Sequence, residues 1–154
     1  MSQFSTAGHE EGGPMTPDDF PAVFAEGWAL PKPDAFLDRF RPLIHGEAVF
    51  TQPMFPDAHG RSEVEGMFRR LFALFPDMAL TVRSSAVQGG TVFIESDCTA
   101  TLGRKPVHFR VCDRFAISGG TIRSRASYSD PLPVLLTGLR RPSGWPRLLR
   151  SRTT

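Results

Sequence analysis

Apolar positions along the chain follow two different periods. From Phe20 to Trp28 they recur every three or four residues (Phe20, Val23, Phe24, Trp28), which predicts an amphipathic helix. Thr16-Pro17-Asp18-Asp19 ahead of it supplies a capping hydroxyl, a proline for the first turn and acids for the positive helix end. Pro31 and Pro33 end that helix. A second, short helix is expected from Asp34 through Phe36, Leu37 and Phe40. A third starts at Ser62, which forms a capping box with Glu65. Its stripe is Val64, Met67, Phe68, Leu71, Phe72 and Phe75, and Pro76 stops it.

Elsewhere the period is two. A short strand is expected from Glu47 to Gln52, closed by Pro53, and four longer ones over 78–87, 91–101, 107–117 and 121–128. Gln88-Gly89-Gly90, Gly103-Arg104-Lys105 and Ser118-Gly119-Gly120 mark the turns, where glycine supplies positive φ. Three helices followed by an antiparallel meander predict an α+β domain, with helices on one face of a curved sheet.

Alternation gives that sheet two chemically different faces. One is expected to carry Met78, Leu80, Val82, Val92, Ile94, Cys98, Phe109, Val111, Asp113, Phe115, Ile117, Ile122, Ala126 and Tyr128. The other carries Arg83, Glu95, Asp97, His108, Arg110, Cys112, Arg114, Arg123 and Arg125. Glu95 and Asp97 are expected to pair with arginines across the strands, and this face also suits a dimer contact. Cys98 and Cys112 fall on opposite faces, which argues against a disulfide.

At 154 residues, with 40% hydrophobic and 22% charged positions, the chain fits one soluble domain. No run is apolar enough to span a membrane, the first residues lack the pattern of a secretory signal, and free thiols suit the cytoplasm. The net charge of +2 is uneven. Residues 1–15 are polar and expected to be disordered, 16–139 form the domain, and 140–154 make a basic tail of five arginines without an acid. One short tail does not make a nucleic-acid surface. His45, His59 and His108 are scattered, and no spacing suggests a metal, a phosphate loop or a nucleotide fingerprint.

The candidate chemistry centres on Asp113, alone on the apolar face between Val111 and Phe115. Such an acid is either the polar end of a pocket or a structural group bonded to Tyr128, Trp28 or backbone. In a pocket, desolvation favours the neutral acid, which donates a hydrogen bond to a ligand carbonyl or oxyanion. Trp28 would wall the pocket, with Val111, Phe115 and Phe72 around it. Gln52 and Tyr128 would orient a ligand.

Trp28 in the first helix, the segments AVFTQP, HGRSEVEGMFRRLFALFPDM and VCDRFAISGGTI, and the closing YSDPL resemble the SnoaL-like branch of the nuclear transport factor 2-like superfamily. The likeness runs from about Phe20 to Leu136. It implies a cone-shaped domain with a pocket between sheet and helices, and dimers through the outer sheet face. It further implies a small hydrophobic ligand, of polyketide or terpenoid type, and proton-transfer chemistry without a cofactor, or a binding module that kept only the fold. Against the related ketosteroid isomerases, Asp113 matches the strand aspartate, Gln52 stands for the base and Trp28 for the tyrosine. Against the limonene-epoxide hydrolases, Asp97 matches one aspartate, while Glu95 and Ser127 replace the arginine and the second aspartate. The cyclases' acid/base carboxylate would also fall near Ser127.

Overall fold

The computed structural model describes residues 13–139; the polar N-terminal segment through residue 12 and the basic tail from residue 140 lie outside them. Three helices, α1 (Phe20–Ala29), α2 (Asp34–Phe40) and α3 (Gly60–Leu74), enclose one side of a six-stranded sheet. The strands are β1 (Ile44–Thr51), β2 (Ala58–His59), β3 (Ala79–Gln88), β4 (Thr91–Leu102), β5 (Lys105–Ser118) and β6 (Thr121–Ser129), and α4 (Leu132–Leu139) follows. The sheet order is β2-β1-β6-β5-β4-β3. The α+β expectation holds with one change. The meander β3–β6 is antiparallel, but β1 joins β6 in parallel, so the sheet is mixed. Two strands separated by the whole of α3 and the meander need not lie head to tail.

Each helix forms where its stripe predicts. α1 buries Phe20, Phe24, Gly27 and Trp28. Its start is fixed by reciprocal bonds: Thr16 N donates to Asp19 Oδ2 at 2.9 Å and Asp19 N to Thr16 Oγ1 at 3.3 Å. The Thr16 hydroxyl also holds the Asp19 carboxyl below its ordinary range. α3 begins two residues earlier than the capping box implied. Glu63, not Ser62, closes its start, its Oε2 accepting from His59 N at 2.8 Å, while Glu65 is drawn to Arg41 at 2.7 Å.

The core is dominated by phenylalanine. Phe20 meets Phe115 at a centroid distance of 4.7 Å, Trp28 meets Phe36 at 4.9 Å, and Phe36 meets Phe72 at 5.0 Å, with rings steeply inclined to one another. Such edge-on pairs add to the area term of burial. Gly27 lets α1 approach Phe40, since a Cβ there would overlap the ring.

On the outer face the expected cross-strand pairs form: Arg83 with Asp97, and Arg110 at 3.9 Å from Glu95. The bond from Arg83 is the first cause of a lowered Asp97 pKa. Cys98 is buried in the inner face and Cys112 half-buried on the outer. Burial first, then the Asp113 charge, pushes the Cys98 thiol up to about 12.

Inner and outer positions follow the expected alternation along β4 and β5, but not along β6. Ala116 pairs with Ser124 and Ile117 with Ile122, so Arg123 is an extra residue in β6. A bulge of this kind reverses the alternation beyond it. Arg125, expected outside, is therefore buried, and Tyr128, expected inside, stands on the outer face opposite Cys112, more than half exposed.

Replacing Gly27 by alanine must displace the Phe40 ring, which Phe24 and Phe36 hold in place. The expected loss is about 1–3 kcal/mol of unfolding free energy, the usual cost of overpacking, measured by urea denaturation.

Candidate functional site

The bulge at Arg123 and the apolar face of β5 together create the one buried ion pair among the described residues. Asp113 sits at the centre of β5, opposite Ser127, and is wholly buried. Arg125, two residues before Ser127 on β6, reaches it. Arg125 Nε donates to Asp113 Oδ1 at 3.0 Å, and Nη2 lies 2.9 Å from the same oxygen. Asp113 Oδ2 accepts no hydrogen bond from any described residue. The guanidinium carbon stands 5.9 Å from the Phe50 ring centre and 5.8 Å from that of Phe68. Both distances are within cation–π range.

Beside this pair lies a cavity of about 80 Å³. Trp28 from α1, Met67 and Leu71 from α3, Phe109 and Val111 from β5 and Val134 from α4 wall it. Its polar border is Arg125, Ser127 and Ser129 from β6, Gln52, and Asp130 at the exposed rim. A smaller void of about 20 Å³ lies deeper, among Trp28, Phe36, Phe50, Phe68, Phe115 and again Arg125. The larger cavity is about half the ~150 Å³ of an engineered apolar cavity that takes up benzene. A small ring, or the head of a longer molecule, is the size it admits once its walls give slightly.

Of the residues singled out in the sequence, the fold brings Trp28, Gln52 and Val111 to the cavity. Phe115 borders only the deeper void, and Phe72 lies behind Trp28 at a centroid distance of 5.8 Å. Asp113 is not on the cavity wall; it stands behind Arg125. The acid is thus not alone, and its partner is neither Tyr128, Trp28 nor backbone. Tyr128 lines a broad open groove with Phe93, Glu95, Arg110 and Cys112, which meets the inner cavity along Phe109, Val111, Ser129 and Asp130.

Gln52 Nε2 donates to Pro56 O at 2.8 Å, pinning the loop after β1, while its buried Oε1 accepts from no described residue. In that loop Met54 holds a left-handed φ of 73° and lines the cavity. A non-glycine residue there costs about 1–2 kcal/mol, and such strain collects at functional sites.

The two charged residues of the site escaped the sequence reading. Arg125 was placed outside because the bulge leaves no mark of its own. The signal that points to it is Asp113 itself, since a carboxylate on a buried face demands a counter-charge. Asp130 caps α4: its Oδ1 accepts from Leu132 N at 2.9 Å. It also borders the cavity, the only carboxylate among the described residues that does so. The described residues hold no cluster of histidine, cysteine or acidic side chains that could bind a metal, and no helix long and apolar enough to cross a membrane.

The fold is that of many solved domains. A candidate SnoaL-like polyketide cyclase from Jannaschia sp. CCS1 is 20% identical, with a TM-score of 0.67 over 77% of this chain and 87% of that one. IdmH from Streptomyces antibioticus, a candidate polyketide cyclase, is 22% identical, with a TM-score of 0.64 over 79% and 97%. An LEH-like epoxide hydrolase from M. tuberculosis is 22% identical, with a TM-score of 0.64 over 87% and 96%. At such identities the likeness is one of fold, named nuclear transport factor 2-like or ketosteroid isomerase-like in other members. No curated protein sequence matches. A family model for the SnoaL-like domain matches residues 22–125, from within α1 to the buried arginine of β6, and the chain belongs to that family.

Proposed function

We propose that this domain binds a small hydrophobic carbonyl compound, of polyketide or terpenoid type, in the cavity beside Arg125. The observation that carries this reading is a buried guanidinium at the polar border of a cavity whose other walls are apolar. An apolar pocket with few fixed polar groups is the common form of a small-molecule site. Trp28, Val111, Met54 and Phe109 would hold the hydrocarbon, and Arg125 would take the carbonyl oxygen. The Gln52 amide, whose oxygen has no described partner, would orient a ligand hydroxyl.

The same arrangement supports cofactor-independent proton transfer of isomerase, cyclase or dehydratase type. Asp130 would remove a proton from the carbon next to the carbonyl, and the electron pair would move onto the oxygen held by Arg125. Return of the proton from Asp130 to a different carbon would complete an isomerisation. Asp113, which does not reach the cavity, would act as a positioning residue by fixing the plane of Arg125. The binding-only alternative is favoured by one fact: Asp130 is exposed and already engaged in capping α4.

The outer face supports a homodimer. Phe93 and Tyr128 are exposed beside an open groove, on a surface where Arg83 and Arg110 already pair with Asp97 and Glu95 across strands.

Two measurements test this. With 2-tetralone in D2O, wild-type protein should speed deuterium entry beside the carbonyl, followed by NMR. Asp130→Asn should abolish that acceleration, and Arg125→Lys should reduce it about 10²-fold, the usual cost of losing one oxyanion donor. Ketone binding without exchange would leave the binding module; no binding would contradict the site. In sedimentation velocity the wild type should run as a dimer and Tyr128→Glu as a monomer. A monomeric wild type would remove the dimer.

A further inference from the structure

The Arg125 guanidinium is engaged along one edge and has two aromatic rings to one side. Its side-on edge, Nε with Nη2, is turned to Asp113 Oδ1. Phe50 and Phe68 stand near its carbon, and neither ring accepts an in-plane hydrogen bond. The remaining edge is the end-on fork of Nη1 and Nη2, and no described residue accepts a hydrogen bond from Nη1. Arg125 borders both the cavity and the deeper void, with a side chain only 9% exposed.

A buried cation with unused donors favours an acceptor that carries charge, because charge-assisted bonds are roughly twice as strong as neutral ones. The fork is planar and rigid, and it matches two oxygens lying in one plane. On the ligand-binding reading above, we propose that Arg125 anchors a planar pair of ligand oxygens bearing a negative charge. A carboxylate has this form, as does the enolate of a 1,3-dicarbonyl or a 2-hydroxyquinone. Asp113 meets the guanidinium through one oxygen along its side-on edge, which fixes its plane and leaves the end-on fork free for the ligand. Ser127 and Ser129, also bordering the cavity, supply hydroxyl donors for the remaining lone pairs. The other charge at the cavity, Asp130, is exposed at the rim, where water and salt screen it. The preference is therefore set by geometry and hydrogen bonding at the buried end, with the apolar walls taking whatever the ion is attached to.

The test compares benzoate with benzamide, which share shape and differ in charge, by protein-observed NMR titration at pH 7. Wild-type protein should bind benzoate about tenfold more tightly or better, with the largest shifts around Trp28, Val111 and Ser127. The double variant Asp113→Asn/Arg125→Gln removes both charges together, so no lone ion is stranded in the core, and it should lose the preference. Arg125→Lys keeps a charge without the fork, and it should retain only a minor part of the preference; its fold is checked by near-ultraviolet circular dichroism. Equal affinity for the two probes, or an unchanged preference in either folded variant, would overturn the anion anchor while leaving apolar ligand binding intact. Absence of shifts at the cavity with both probes would contradict the ligand-binding reading as well.

Discussion

A carboxylate at the middle of an apolar strand face is costly unless it is paired and hydrogen-bonded, and much of this inner architecture answers that demand at Asp113. Arg125 reaches it only because one extra residue in β6 turns the strand over between Ile122 and Ser124. The same reversal carries Ser127 and Ser129 inward and Tyr128 outward. Phe50 of β1 and Phe68 of α3 both stand within cation–π range of the guanidinium, so the parallel neighbour strand and the third helix are both tied to the pair. A hydrophobic replacement of similar volume would serve the core at least as well in many proteins. The pair also sets a buried guanidinium at the border of the cavity.

The division of labour around the cavity follows. The apolar walls come from elements whose positions are fixed by aromatic packing: α1 through Phe20 and Phe24 on Phe115, α3 through Phe68 and Phe72 on Phe36. The polar groups come from β6 and from the loop after β1. One of these is rigid, since Arg125 is held at its edge by Asp113 and lies close to two rings. Another is exposed, since Asp130 lies at the start of α4 among leucines that remain in solvent. A fixed donor inside and a solvated carboxylate at the rim suit a ligand that enters polar end first.

Much of this was legible in the sequence. The helices and the meander follow from periods of three to four and of two, because burial on one face is what those periods encode. The β5 face of Val111, Asp113, Phe115 and Ile117 was read correctly for the same reason. Glu95 and Asp97 were rightly given to arginines across the strands. What failed is non-local. Neither the parallel contact of β1 with β6 nor the bulge at Arg123 is set by neighbouring residues. Each depends on which strands meet after collapse, and alternation extended blindly past Ile122 put Arg125 and Tyr128 on the wrong faces. The lone acid was the one local clue, and it asked for a buried cation rather than for a ligand.

The most direct test is a double-mutant cycle on this pair, read by urea unfolding of the wild type, Asp113→Asn, Arg125→Gln and the double variant. If each residue is buried against the other, either single change strands its partner and costs about 3–5 kcal/mol. The double variant should then be far more stable than the sum of the two losses allows. Additive losses with little coupling would mean that Asp113 and Arg125 do not depend on one another, and the β6 register on which the site rests would be wrong.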